Sequence, residues 1–230
     1  MILAGQLNNQ KDYWDLAHRT FSLLQIQNDV EVFIFTFGDV SERLRNNNFS
    51  YIDSEDFFDK VKRTLNICDE ELKEFLKFTA EYDKTNHWSN IAMMKLLMPF
   101  YFEDQFWFVD ADIELSGEVN LKLQTQSSLL AVKEVGLVRE PDGEIKEHAV
   151  DIVFSTTFSK YAKYFNTGVL FFNKNHHHPD KAYYKYMRKM FTDKEFYKKL
   201  RNNILITDQG LLNYFYSMQE RKQSDDFAVE

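Results

Sequence analysis

Phe106-Trp107-Phe108-Val109-Asp110-Ala111-Asp112-Ile113-Glu114-Leu115 is an apolar run that ends in two carboxylates one residue apart. The apolar half predicts a buried strand, and the carboxylates fall where that strand leaves the core. Desolvating a carboxylate costs several kcal/mol unless something pairs it, so such a pair faces either a cation or open water. Hard divalent ions such as Mg²⁺ and Mn²⁺ take oxygen ligands of this kind and commonly share them with the phosphates of a substrate. An isolated Asp-x-Asp arises readily by chance in an acidic chain. Its position at a strand end is what gives it weight here.

On the N-terminal side of this strand, Ile2-Leu3-Ala4 predicts a first short strand, Tyr13 to Leu24 a helix, and Val30 to Phe37 a second strand. The second strand is continuous in apolar and β-branched residues, as parallel strands covered on both faces are. Asn46 to Asn48 predicts a turn and Phe49 to Ile52 a short strand, followed by helices over Glu55 to Leu65 and Asp69 to Tyr82. Ser89 can cap a helix that runs to about Met98 and stops near Pro99. On the C-terminal side, Leu129 to Val135 predicts a strand and Pro141-Asp142-Gly143 a turn.

Phe165-Asn166-Thr167-Gly168-Val169-Leu170-Phe171-Phe172 combines a core strand, Val169 to Phe172, with a polar lead-in whose glycine permits close backbone approach. His176-His177-His178 read as a solvated loop, because adjacent side chains diverge. Lys181 to Arg201 is strongly basic, with Tyr184, Met187, Phe191 and Leu200 on an opposite face. It fits either a helix packed on the sheet with its lysines reaching solvent or a peripheral contact with an anionic membrane. Ile204-Leu205-Ile206 leads into Asp208-Gln209 and a helix, where Thr207 or Asp208 can serve as N-cap.

The chain has 230 residues, enough for one sizeable α/β domain, and its 22 phenylalanines and 12 tyrosines supply ample core material. A formal net charge of −8 argues against nucleic acid as a partner of the whole body. Cys68 is the single cysteine, so no internal disulfide can form. With neither a signal peptide nor a spanning segment in view, a reducing, cytoplasmic compartment is expected.

Taken in order, these segments resemble glycosyltransferase family 8, the retaining, metal-dependent transferases with a GT-A fold, over roughly Ile2 to Tyr216. Lys95-Leu96-Leu97-Met98-Pro99 before Trp107 to Ile113 is similar to the family's helix leading into its Asp-x-Asp strand. Phe165-Asn166-Thr167-Gly168-Val169-Leu170 resembles its Phe-Asn-(small)-Gly segment, and Asp208-Gln209 with Leu212-Asn213 its Asp-Gln element. The resemblance implies a single GT-A-type α/β domain over 1–230, Rossmann-like, with a central mixed, mostly parallel sheet flanked by helices. It also implies transfer of a hexose from a nucleotide sugar, most often UDP-linked, to an acceptor hydroxyl on a glycan, glycolipid or glycoprotein.

In that reading Asp110 and Asp112 bind Mn²⁺ or Mg²⁺ beside the diphosphate, with Ala111 between them. Asn166 and Gly168 line the donor-sugar pocket. Asp208 hydrogen-bonds the sugar, and Gln209 lies near the anomeric carbon, where a poorly nucleophilic amide stabilises charge and does not attack. Gln6-Leu7-Asn8-Asn9 stands where the family places an acidic Asp-Asn-Tyr-type element, leaving Gln6 or Asn8 to meet the base. Lys95 stands in place of an arginine, keeping the charge and losing bidentate geometry. The family's later His-x-Gly-x-x-Lys element, which supplies a further metal ligand, has no counterpart before Glu230. Three readings follow: a shortened form, coordination completed by water or another residue, or a nucleotide-sugar-binding protein with impaired turnover. A phosphatase of the haloacid dehalogenase type also carries Asp-x-Asp at a strand end. It wants the pair on the first strand and a later acidic pair, and neither is evident.

Overall fold

The apolar runs on both sides of Asp110 become neighbouring strands in a computed structural model. It describes residues 2–7, 11–36, 45–82, 89–122, 127, 129–133, 135–139, 145–149, 165–173, 178–201, 208–220 and 227–229. The N-terminal part runs β1 (Ile2–Leu7), α1 (Lys11–Asn28), β2 (Glu31–Thr36), β3 (Ser50–Asp53), α2 (Ser54–Leu65), α3 (Asp69–Tyr82), α4 (Ser89–Leu97) and β4 (Phe106–Val109). There follow β5 (Leu129–Lys133), β6 (Val135–Arg139), β7 (Ile145–Ala149), β8 (Phe165–Phe172), α5 (Ala182–Thr192), α6 (Lys194–Arg201), α7 (Asp208–Glu220) and β9 (Phe227–Val229).

Among the described residues seven strands form one sheet in the order β3-β2-β1-β4-β8-β5-β9. The strands β3, β2, β1 and β4 are mutually parallel, β8 is antiparallel to both β4 and β5, and β9 is parallel to β5. This is the expected α/β architecture with a mixed, mostly parallel sheet. β1 leads through α1 to β2 on one side, yet its other neighbour is β4, so the strand order reverses between β1 and β4. In open α/β sheets the crevice at the carboxyl ends of strands flanking such a reversal is where ligands bind.

Helix α1 covers one face of the sheet, with Trp14, Ala17, Phe21 and Leu24 buried against Val32, Ile34 and Val109. The other face carries α2 to α5 and α7, packed through Phe57, Phe75, Met94, Leu97, Met187, Phe191 and Leu212 onto Phe35, Phe108 and Leu170. Each such side chain, fully buried, stabilises the fold by roughly 1.5–3 kcal/mol before entropy is counted. Gly5 lets α1 approach this closely: a Cβ there would overlap the Phe21 ring and lie 3.3 Å from the Val109 carbonyl oxygen. Helix α2 shows the expected local chemistry. The Asp53 carboxylate accepts the Asp56 N–H at 2.9 Å at its start, and Asn66, at φ 52°, closes its end in the left-handed region.

Four differences from the sequence-based expectations have physical causes. The first strand continues through Gln6 to Leu7, because β2 offers it a parallel partner along that whole length. Leu129 to Val135 is not one strand. Leu129–Lys133 joins the main sheet, and Val135–Arg139 pairs with Ile145–Ala149 in a separate antiparallel hairpin. The expected turn at Pro141 to Gly143 lies outside the described residues. Asn166-Thr167-Gly168, expected as a lead-in to the strand, is part of β8 itself, since Asn166 has a partner in Val132 of β5.

Finally, the basic stretch Lys181 to Arg201 is two helices. Asp193 interrupts it, its carboxylate accepting the N–H groups of Glu195 and Phe196 at 3.1 and 2.9 Å and so starting α6. Tyr183, Tyr184, Met187, Met190, Phe191 and Leu200 are buried in the core. The packed-helix reading is therefore the observed one, and an apolar face for membrane insertion is not available on this stretch. Among the described residues no helix is long and apolar enough to cross a membrane.

Helix α7 is locked to β8 by Asn213, which is 3 % exposed. Its amide oxygen accepts the Phe165 N–H, and its amide nitrogen donates to the Phe165 and Gln209 carbonyls, each at 2.9 Å. The side chain thus acts as a strand partner for one residue. Asn213→Leu would remove all three of these hydrogen bonds at once, and should lower stability by about 2–4 kcal/mol in urea denaturation.

Candidate functional site

The site begins where β4 runs out. Val109 pairs with Val169, and one residue further the Asp110 N–H donates to the Gly168 carbonyl at 2.8 Å, carrying the ladder to the carboxylate. Gly168 is what permits this approach. A Cβ there would lie 2.9 Å from Asn166 Oδ1 and 3.3 Å from Asp110 Oδ2. The Asn166 amide oxygen in turn accepts the Gly168 N–H at 2.6 Å, which folds that side chain back over the glycine.

Lys95, from α4, reaches the same point from the other side. Its Nζ lies 3.1 Å from both carboxylate oxygens of Asp110 and 2.9 Å from Asp208 Oδ2, with a longer approach of 3.4 Å to Thr167 Oγ1. It also sits 4.8 Å above the Phe108 ring. The Thr167 hydroxyl donates to Asp208 Oδ2 at 2.7 Å. Side-chain exposure is 4 % for Lys95, 14 % for Asp208 and 27 % for Asp110, so the ammonium is sealed while both carboxylates keep a face to solvent.

Asp112 follows in a turn closed by the Ile113 N–H on the Asp110 carbonyl at 3.3 Å, and is exposed. The loop behind it is tied down from α1 and β4. Thr20 donates to the Ile113 carbonyl at 2.7 Å, and Asn28 bonds both the Val119 carbonyl and the Leu121 N–H at 2.8 and 2.7 Å. The Trp107 indole N–H donates to the Leu121 carbonyl at 2.9 Å. Ala111 and Ile113 pack against the α1 layer.

Burial dominates the electrostatics. It pushes the Asp110 carboxyl up to about 6, helped by the neighbouring Asp208 and Asp112 charges and opposed by Lys95. For Lys95 burial alone would lower the pKa. Asp208 and Asp110 together more than offset it and hold the ammonium above the ordinary lysine range.

Of the residues expected from sequence, Asp110, Lys95, Gly168 and Asp208 converge within hydrogen-bonding range, Asn166 flanks them, and Asp112 and Ala111 form the adjoining turn. Gln209 is the next residue of α7 after Asp208 and is partly exposed. Ala4 stands opposite Phe108, so two residues later Gln6 is level with Asp110 at the end of β1. Asn8, His176 and His177 lie outside the described residues. His178 is exposed, with Nδ1 3.4 Å from Asp180. Thr167 was not expected. The available signal was a buried hydroxyl in a core strand, which requires a partner, and strand alternation, which turns it away from Asn166 and Gly168. Asn213 belongs to the scaffold.

No family model matches the sequence, and no curated protein matches it. Solved structures do. WbbM, a bifunctional glycosyltransferase, aligns with a TM-score of 0.54 at 14 % identity, over 94 % of this chain and 37 % of that one. The galactosyltransferase LgtC, solved with donor and acceptor sugar analogues, aligns at 0.49 and 14 % identity over 93 % and 69 %. The glycosyltransferase GlyE of Streptococcus pneumoniae TIGR4 aligns at 0.49 and 13 % over 100 % and 44 %. The chain thus spans less than half of WbbM and of GlyE. The likeness to WbbM is one of fold.

The raised Asp110 pKa has a consequence for stability. The carboxyl moves from an ordinary 3.8 to about 6 on folding, so the folded state binds this proton more tightly than the unfolded chain. For this group the fold is most stable below 3.8, and it loses that stability as pH rises through 6. Asp110→Asn carries no charge at any pH. It should therefore melt at a higher temperature than the parent at pH 8, with the gap closing by pH 4. An equal or lower midpoint at pH 8 would mean that pairing with Lys95 outweighs burial.

Proposed function

We propose that this chain is a retaining glycosyltransferase. It moves a hexose from a nucleotide sugar, UDP-linked, to a hydroxyl of a glycan, glycolipid or glycoprotein. The observation that carries the reading is the meeting of Asp110, Lys95 and Asp208 at the strand-order reversal, in a fold shared with the glycosyltransferase WbbM. The sequence resemblance to family 8 assigns the same residues to the donor site.

A divalent cation fits the donor set. Asp110 is held up near 6 by burial and two neighbouring carboxylates, so added positive charge is favoured there. Two carboxylates with phosphate oxygens and water are a usual set for Mg²⁺ or Mn²⁺. Asp110 and Asp112 would hold the ion, which when bound draws off negative charge from the departing diphosphate. Asp208, an acceptor only when ionised, takes hydrogen bonds from hydroxyls of the donor sugar. Lys95 keeps Asp208 and Asp110 together and neutralises part of their charge. Gly168 and Asn166 would line the donor-sugar pocket beside Asp110. Gln209 sits next to Asp208, where its amide can face the anomeric carbon. Gln6 and Asn8 are left for the base. The whole chain acts as one GT-A-type domain in the cytoplasm. The exposed lysines of 181–201 suit an electrostatic contact with a membrane surface.

A second reading rests on a specific observation. Among the described residues no three His, Cys, Asp or Glu side chains are placed to hold a metal, and both Asp110 oxygens already face Lys95. A protein of this kind would bind the donor and turn it over poorly. Both readings are tested by incubating UDP-hexoses with the protein and Mn²⁺ and following UDP release and binding. Turnover that falls about 100-fold in Asp112→Ala supports the transferase. UDP binding without release supports the second reading, and no binding at millimolar UDP sinks both.

A further inference from the structure

Thr167 is 2 % exposed and sits on β8 between Asn166 and Gly168. Its hydroxyl donates to Asp208 Oδ2 at 2.7 Å and lies 3.4 Å from Lys95 Nζ. The same Oδ2 accepts from Lys95 at 2.9 Å. The directions follow from chemistry: an ammonium can only donate, an ionised carboxylate can only accept, and the hydroxyl between them does both. One oxygen of one carboxylate therefore carries two donors from two elements, α4 and β8, while α7 supplies the carboxylate. The terminal torsion of an aspartate is ordinarily broad. Here, turning it would break the hydrogen bonds from Thr167 and Lys95 together. Asn213 clamps the same helix to Phe165, two residues before Thr167 on the strand, so Asp208 is fixed both through its backbone and at its tip.

We propose that Thr167 is a positioning residue. With Lys95 it holds Asp208 by Oδ2 and so presents the other carboxylate oxygen to the hydroxyls of the donor hexose. The proposal rests on the glycosyl-transfer reading for its catalytic consequence. Its structural half, a locked Asp208 carboxylate, does not need that reading. A group fixed in this way needs no reorganisation when the sugar distorts towards its transition state. The UDP moiety, held elsewhere, would not sense it.

The test uses the full chain with Thr167→Val, which removes the hydroxyl at equal volume, and Thr167→Ser, which keeps it. Thr167→Ala stands in should the valine variant fail to fold. Thr167→Val is expected to lower kcat for UDP-hexose turnover by roughly 10- to 100-fold, the range of a lost hydrogen bond to a charged group. The dissociation constant for UDP alone should stay within about threefold on the same grounds, and serine should recover most of the lost rate. A valine variant with parental kcat overturns the proposal, as does a parallel loss of UDP affinity or a failure of serine to rescue. The second readout is the ¹³C resonance of the Asp208 carboxyl. It should be sharp in the parent and in Thr167→Ser, and shifted or broadened in Thr167→Val and Thr167→Ala. An unchanged resonance in those two overturns the proposal even where no donor is turned over. A changed resonance in a protein without turnover upholds the locked carboxylate and removes the glycosyl-transfer reading alone.

Discussion

An ammonium group taken out of water costs several kcal/mol unless anions meet it, and Lys95 meets two. Its Nζ lies within 3.1 Å of Asp110 and 2.9 Å of Asp208 while its side chain is 4 % exposed. The two carboxylates come from opposite ends of the architecture: one from the end of β4, the other from the first turn of α7. Helix α4 therefore packs on the sheet with its lysine charged, met by both carboxylates together. The three layers that meet at this point, helix, sheet and helix, are obliged to agree on one geometry, and that geometry is the site. Apolar packing around Phe108, Phe165 and Leu212 supplies most of the cohesion. Packing tolerates small slides, whereas a buried ionic contact does not.

The agreement is not free of conflict. Asp110 is pushed up by burial and by the other carboxylates even with Lys95 beside it. One lysine thus neutralises too little of the charge gathered here. Local rules that a stable core obeys are broken at one place, which is where binding sites are commonly found.

The frame was legible in the sequence for reasons that are local. Val32 to Phe35 and Phe106 to Val109 are continuous apolar runs, and such runs between helical patterns specify parallel strands covered on both faces. Asp110 was legible because it interrupts one of them. What stayed hidden depends on distant partners. Leu129 to Val135 reads as one strand, and the division between the main sheet and the hairpin is set by the strands that pair with it, β8 on one side and β7 on the other. Asp193 was visible as a residue, but the good helix formers around it masked its role as a cap. Thr167 reads from sequence only as part of a polar lead-in to the strand, since its meaning is set by a carboxylate 41 positions away. Lys95 reads only as a donor-site cation in place of an arginine, because its charge is clear from sequence and its partners are not.

The separation of those partners along the chain bears on how the protein comes into being. During synthesis Lys95 and Asp110 leave the ribosome early, and Asp208 follows 113 residues after Lys95. Until α7 emerges, the nascent chain can assemble β1, β2, β3 and β4 in parallel, and Lys95 has Asp110 alone to meet its charge. Contacts of such long range form slowly and late. A chain without α7 would lack the second anion of Lys95 and the core contribution of Leu211, Leu212 and Phe215. The charge balance of the site is thus completed by the one of its three elements that is made last.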